Sequence, residues 1–205
     1  MAILPALSSV LDAPVLYLAY QSIVGGIRAR RVCLRDYVKP TPGMVVIDIG
    51  CGPGYTAKWL PESRFFGFDV CRSYIDYATR KFGSHAVFHC GLFSRQCVST
   101  LPEADLVLMM GLLHHLPDEE CVSLLTLARS AMKKGGKLLA MDGCYREGQP
   151  RIARCFLDWD RGEYIRTPDG YVRIARAVFD EVVPSLRDDL FFIPSYTNVV
   201  LSCTA

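Results

Sequence analysis

The stretch Val45-Val-Ile-Asp48-Ile-Gly50-Cys51-Gly52-Pro-Gly54-Tyr55 limits what this chain can fold into more than any other. Its run of β-branched residues suits a strand buried on both faces of a parallel sheet. The run ends in alternating glycines, which let the backbone turn sharply and approach a ligand where a Cβ would collide. A short helix is expected at 56–60, stopped by Pro61. Strand, glycine turn and helix together make a cradle for an adenosine-containing cofactor.

Two details narrow the cofactor. Nicotinamide and flavin sites carry G-x-G-x-x-G. Here Gly54 comes one residue early, and Tyr55 stands where that fingerprint has its last glycine. Asp48 also precedes the first glycine by two positions. This D-x-G-x-G-x-G stretch resembles the first motif of the class I S-adenosylmethionine-dependent methyltransferases. A carboxylate suits a cofactor with an ammonium group and a sulfonium centre, and would repel a dinucleotide pyrophosphate. Taken alone, the loop also reads as a structural tight turn. The strand before it and Asp48 put the cofactor reading ahead. The resemblance implies S-adenosylmethionine as cofactor and S-adenosylhomocysteine as product. It makes Asp48, Gly50, Cys51, Gly52, Gly54 and Tyr55 candidate contacts, although the side chain of Cys51 reads first as a small packing residue.

Further along, Arg64 to Asp69 is expected as the second strand, ending in an acid about 20 residues after the first glycine, the spacing at which a carboxylate reaches ribose hydroxyls. Asp69 and Val70 therefore join the cofactor set; the competing role for Asp69 is an N-cap for a helix at 73–82. The third strand, His85 to Cys90, is followed by Gly91-Leu92-Phe93, without the aspartate that often reads adenine in the resembled family. Adenine recognition is left to backbone and apolar contacts at Gly91 and Leu92.

A fourth strand, Asp105 to Met110, runs into Gly111-Leu112-Leu-His114-His115-Leu-Pro-Asp118. This run resembles the L-H-H-L-P-[DE] segment of small-molecule methyltransferases. Met110, Gly111 and Leu112 then line the cofactor, and His115 or His114 is the candidate base, one of them at most entering the pocket. The competing role for each is to bond the loop or cap the next helix. That helix is expected at 118–132, and a fifth strand at 137–141 leads to Asp142 and Tyr145. Tyr145, Arg161, Arg166 and Tyr171 are the substrate-side candidates, with the two arginines equally able to pair with Asp158, Asp160 or Glu163. A helix is expected at 169–183, stopped by Pro184, and a closing hairpin from strands at 190–193 and 197–203.

The fold expected is α/β, a doubly wound, mostly parallel seven-stranded sheet with a C-terminal antiparallel hairpin. It forms one domain over 1–205, with a helical lid at 1–38 and substrate-side helices at 145–185. Four arginines at 28–35 read as a solvated helix face or as an anion-docking site, and Tyr17 and Tyr20 are lid candidates.

Composition bounds the partners. A net charge of +2 is too mild for a nucleic-acid protein, and the N-P-P-[YF] signature of adenine-modifying enzymes is absent. Nine cysteines, with no C-x-x-C pair or metal-ligand spacing, read as reduced thiols, so no metal is expected and the location expected is cytoplasmic. Pro5, Asp12 and Pro14 interrupt the apolar N-terminal run, so no stable membrane insertion is expected. The reading is methyl transfer to a small molecule, with oxygen, nitrogen and carbon acceptors all open and oligomeric state undetermined. Its rivals are a non-catalytic cofactor-binding partner and a nicotinamide-dependent oxidoreductase.

Overall fold

The computed structural model describes residues 14–158, 162–191 and 196–205. Two helices lead, α1 (Pro14–Val24) and α2 (Gly26–Tyr37). Strands and helices then alternate as β1 (Val45–Ile49), β2 (Arg64–Asp69), α3 (Arg72–Phe82), β3 (Ala86–Cys90), α4 (Arg95–Thr100), β4 (Ala104–Met110), α5 (Asp118–Ser130) and β5 (Met132–Gly143). The chain ends with α6 (Arg151–Asp158), α7 (Pro168–Arg176), β6 (Glu181–Arg187) and β7 (Asn198–Thr204). Short 3-10 turns at Tyr55–Trp59 and Leu113–His115 follow β1 and β4.

The strands form one seven-stranded sheet in the order β3-β2-β1-β4-β5-β7-β6. β1 pairs in parallel with β2 on one side and β4 on the other, and β7 runs antiparallel to both β5 and β6. The chain winds outward from β1 in one direction and then returns to continue from β4 in the other. Between β1 and β4 the connections leave on opposite faces, and a crevice opens at the strands' C-terminal ends.

Each face of the sheet has its own core. On one, Ile47, Val107, Met109 and Leu138 meet Leu125 and Ala128 of α5 and Ile174 of α7. On the other, Val46, Leu106, Leu108 and Met141 meet Ala29, Val32 and Leu34 of α2 and Phe82 of α3. Consecutive residues of β1 and β4 therefore alternate between two buried faces, which is why those strands read as unbroken apolar runs. Full burial of each such side chain contributes about 1.5–3 kcal/mol relative to leaving it exposed.

The C-terminal third departs from expectation. The helix expected at 169–183 ends at Arg176, and Val182, Val183 and Pro184 belong to β6. Proline cannot donate to a ladder, but β6 is the outermost strand, so the missing N–H costs no pairing. The first hairpin strand is therefore 181–187 instead of 190–193; of the latter, 192 and 193 lie outside the described residues. The helix at 95–100 was not anticipated, and the β5 strand begins five residues earlier than expected, with a register shift opposite Ala104 and Leu106.

Candidate active site

The glycine turn lies directly beyond β1. Gly50, Gly52 and Gly54 all take positive φ, at 74°, 54° and 75°. At Gly54 a Cβ would stand 2.7 Å from the Ala78 and Phe88 side chains, so this glycine permits close packing of the turn on α3 and β3. Around Gly52 the space is open, and its nearest neighbour would be Tyr17 at 3.9 Å. Tyr17 of α1 in turn meets Tyr74 of α3, ring centroids 5.1 Å apart. The open side of Gly52 is where a ligand can approach the backbone.

Asp48 is 1 % exposed, and neither carboxylate oxygen completes a hydrogen bond among the described residues. Burial pushes its carboxyl up to about 7, against a smaller downward pull from Arg30 and the nearby Thr56 hydroxyl. The Thr56 hydroxyl also completes no hydrogen bond. A buried carboxyl left this way is costly unless a cation or donor answers it. The combination of an open glycine and an unanswered acid fits a cofactor whose reacting end is cationic. Asp48 would act there by its charge, since its oxygens lie beneath the turn.

Asp69, at the end of β2, ties the turn down. Its Oδ2 accepts from Gly52 N at 2.8 Å and its Oδ1 from Cys71 N at 2.8 Å. Burial raises its carboxyl, and these two backbone donors pull it back. Each oxygen keeps lone pairs for a ribose hydroxyl. Beside it, Val70 and Leu92 are 65 % and 79 % exposed at the ends of β2 and β3. Both lie at the ends of adjacent strands, with Gly91 at φ 144° where β3 passes into its loop. Cys51 and Tyr55 sit differently. The Cys51 thiol is buried against Gly67, where a Cβ would come within 2.9 Å of it, and the Tyr55 ring packs between Trp59 and Phe82.

On the other side of the crevice, β4 ends in buried Met110, and Gly111 after it donates its N–H to the Met141 carbonyl of β5 at 2.7 Å. Leu112 lies 3.1 Å from where a Cβ on Gly50 would be. The following 3-10 turn presents the two histidines. His114 is buried, its Nδ1 2.7 Å from Asp142 Oδ1, and its backbone N–H donates to the same oxygen at 3.2 Å. His115 is exposed, its ring 4.1 Å from that of His114. Asp142 is 2 % exposed. Because Met110 pairs with Met141, residues just past β4 and on β5 meet at the same crevice end. Asp142 thus emerges as a partner for His114, a pairing the linear sequence did not disclose. The adjacency of β4 and β5 was the signal that would have found it.

The substrate-side candidates divide. The Tyr145 hydroxyl donates to Asp158 Oδ1 at 2.7 Å, with the Arg154 guanidinium over its ring. Tyr171 is 1 % exposed and donates to the Gly143 carbonyl at 3.1 Å, so it is a core residue that braces the strand carrying Asp142. Arg166 bonds Asp118 and the carbonyls of Leu113, Leu116 and Tyr164, which makes it a clamp on the histidine turn. Among the described residues its acidic partner is Asp118, not Asp158 or Glu163, and Asp160 lies outside them. Arg161 lies outside the described residues. The segment after it approaches the dyad: Tyr164 N donates to the His114 carbonyl at 2.9 Å.

Residues 46–136 match the family model described as "Methyltransferase domain". Over those residues the chain carries a class I S-adenosylmethionine-dependent methyltransferase domain. The chain is 30 % identical over 103 residues to desmethylxanthohumol 6'-O-methyltransferase of Humulus lupulus, covering 47 % of this chain and 27 % of that protein. It is 39 % identical over 49 residues to a probable scoulerine-9-O-methyltransferase of Papaver somniferum, covering 24 % of this chain and 14 % of that one. The matched part is thus a minor share of either relative. Among solved structures, human N-acetylserotonin methyltransferase in complex with the cofactor matches with a TM-score of 0.65 at 18 % identity, over 99 % of this chain and 60 % of that chain. The pyocyanin biosynthetic protein PhzM matches at 0.68 and 16 %, over 93 % of this chain and 57 % of that one. Within the methyltransferase domain no described helix is long and apolar enough to cross a membrane. No group of three or more His, Cys, Asp or Glu among the described residues is arranged to hold a metal.

Proposed function

We propose that the protein methylates a hydroxyl group of a small molecule, a phenol above all, with S-adenosylmethionine as donor and His114 as general base. The single observation that carries this reading is the buried His114–Asp142 pair at 2.7 Å. An imidazole whose Nδ1 is held by a carboxylate is fixed in one tautomer and orientation, so proton transfer falls to Nε2. A neutral amine or a stabilised carbanion attacks without such help. A hydroxyl near a pKa of about 10 does not, and gains most from a base poised close to neutrality.

The residues fit the donor as follows. Asp69 would take ribose hydroxyls, Val70 and Leu92 would flank adenine, and the backbone at Gly50, Gly52, Gly111 and Leu112 would line the remainder. When bound, S-adenosylmethionine supplies a methyl group on a positively charged sulfur and leaves as the neutral thioether S-adenosylhomocysteine. His114 takes the acceptor's proton as its O–H bond gives way to the new O–C bond. Asp142 stabilises the imidazolium so formed. Arg166, anchoring the carbonyls of Leu113 and Leu116, holds the turn in place, and Tyr17 over Gly52 closes the donor side from water.

The relatives named above are O-methyltransferases by name, in agreement with a hydroxyl acceptor. The fold alone would not carry the reading: the [4+2]-cyclase SpnF shares it with a TM-score of 0.64 at 16 % identity. Nine free cysteines support a reducing, cytoplasmic setting, and the mild charge supports a small acceptor over nucleic acid.

The test is methyl transfer from isotopically labelled S-adenosylmethionine to a panel of phenols, amines and activated carbon acids, read by mass spectrometry. Labelled phenol ethers whose formation falls with His114→Ala support the proposal. Transfer confined to amines or carbon acids, or cofactor binding with no transfer to any class, would overturn it.

A further inference from the structure

Helix α1 carries no charged residue, and none of its eleven residues is buried. Its exposure follows the helical period: Val15, Leu16, Ala19, Tyr20 and Ile23 are exposed, while Pro14, Tyr17, Leu18, Gln21 and Val24 are half-buried. At 3.6 residues per turn the first five share one face and the second five the opposite one. The inner face packs on α2 and α3, where Tyr17 meets Tyr74. The outer face is a continuous apolar strip, with Val15 67 % and Ile23 70 % exposed. A single residue, Gly25, separates α1 from α2, so the strip ends where a row of arginines begins. Arg28, Arg31 and Arg35, spaced i, i+3 and i+7, are exposed on one side of α2, while Arg30 turns inward and donates to the Met110 carbonyl at 2.9 Å. Arg28 reaches the Asp189 and Leu190 carbonyls. The acids beside the row, Asp36 and Asp189, are both held by Arg187, and Arg35 bonds Asp36 as well. Four arginines thus stand against two aspartates, and the balance of this surface is positive.

We propose that the outer face of α1, together with the arginine row of α2, docks the protein on an anionic lipid bilayer. The apolar strip enters the boundary between headgroups and acyl chains, and the guanidinium groups meet the lipid phosphates. Eleven residues make a helix about 16 Å long, roughly half the hydrocarbon thickness, so α1 lies along the interface and does not cross it. A protein partner fits this face less well. One side of so short a helix falls far below the roughly 800 Å² that each member of a stable pair buries. A second copy related by a two-fold axis would also set the arginine row against its own image. Tyr17, on the inner face of the same helix, is the neighbour of the open side of Gly52, so docking brings the glycine turn close to the bilayer. The surface asks nothing of the crevice, and it stands or falls apart from the cofactor reading.

The test is co-flotation of the full chain with phosphatidylcholine vesicles, with and without phosphatidylglycerol. The wild type should float with the anionic vesicles and stay behind with the neutral ones, and high salt should release it. Ile23→Asp should weaken the partition by about 10-fold or more. Arg31→Glu should weaken it by about 10- to 30-fold, and Arg31→Lys, which keeps the charge, should leave it nearly unchanged. Both residues are exposed, so the variants should fold as the wild type does. Circular dichroism checks this, and Val15→Asp gives a second reading of the strip. Absence of flotation with either vesicle overturns the inference, as does equal flotation with both, or a partition that neither aspartate variant alters. A dimer seen by light scattering that Ile23→Asp dissolves would give the face to a second copy and overturn it as well.

Discussion

Gly162 lies against the ring of His114 so closely that a Cβ on it would overlap the imidazole Cδ2. The missing side chain lets the segment cross over that ring, with Tyr164 N bonding the His114 carbonyl two residues further on. Gly162→Ala should push the ring or the segment aside. A displacement of this kind lowers turnover by about 10- to 100-fold while the affinity for S-adenosylhomocysteine, bound on the other side of the crevice, stays the same. Steady-state kinetics beside a binding titration separates the two.

On the proposed reading Asp142 acts through His114, not on the substrate. Asp142→Asn keeps the shape but no longer holds the protonated ring, so turnover should fall by roughly 10²- to 10⁴-fold. The variant should still bind S-adenosylhomocysteine. Combining it with His114→Ala should add little to the single loss, because the pair works as a unit. A full multiplication of the two effects would show that the residues act independently.

Asp48 gives a pH signature that does not depend on activity. Its carboxyl ionises at 3.8 in an open chain and at about 7 when buried under the turn. Between those values the folded protein holds a proton that the unfolded chain has lost, so stability falls as pH rises from about 4 to 7 and then levels. Asp48→Asn removes that slope, and the unliganded variant should be more stable than wild type at pH 8 by roughly 2–4 kcal/mol. A cation near Asp48 favours its ionised form. Cofactor binding should therefore release a proton near neutrality and tighten as pH rises toward 7, measurable by calorimetry in buffers of different ionisation enthalpy. Asparagine should abolish the release.

Arg166 is expected to matter for stability. Its side chain is 10 % exposed, bonded to Asp118 at 2.7 Å and to three carbonyls. Arg166→Ala strands those acceptors and should cost about 2–4 kcal/mol. Urea denaturation reads the loss. If the variant kept full stability and lost only affinity for the acceptor, Arg166 would be a substrate residue after all.

The donor half of the proposed site was readable as a candidate without coordinates because its determinants are local. Glycine spacing, a carboxylate two residues before it and another at the next strand end all lie within about twenty-five residues of one another. The acceptor half was not. Nothing near Tyr171 says that its ring is core, and nothing in the run 28–35 distinguishes Arg30 from its neighbours, since helix periodicity places several residues toward the sheet but not opposite a particular strand end. The hairpin misplacement has the same origin. Pro184 ends a helix by local rules, yet it is tolerated on an edge strand, and which strand is the edge is a property of the whole sheet.

By itself, then, the sequence determined the βα alternation, the doubly buried strands and the glycine cradle, because periodicity and backbone chemistry act over neighbouring residues. Tertiary structure alone decided that Asp142 stands 2.7 Å from His114, that Arg30 reaches Met110 from a helix 80 residues away, and that Gly162 passes over the imidazole. Those contacts exist because β1, β4 and β5 are neighbours in the sheet and open a crevice at their common end. No local preference encodes that order; it emerges when both faces of the sheet are covered at once.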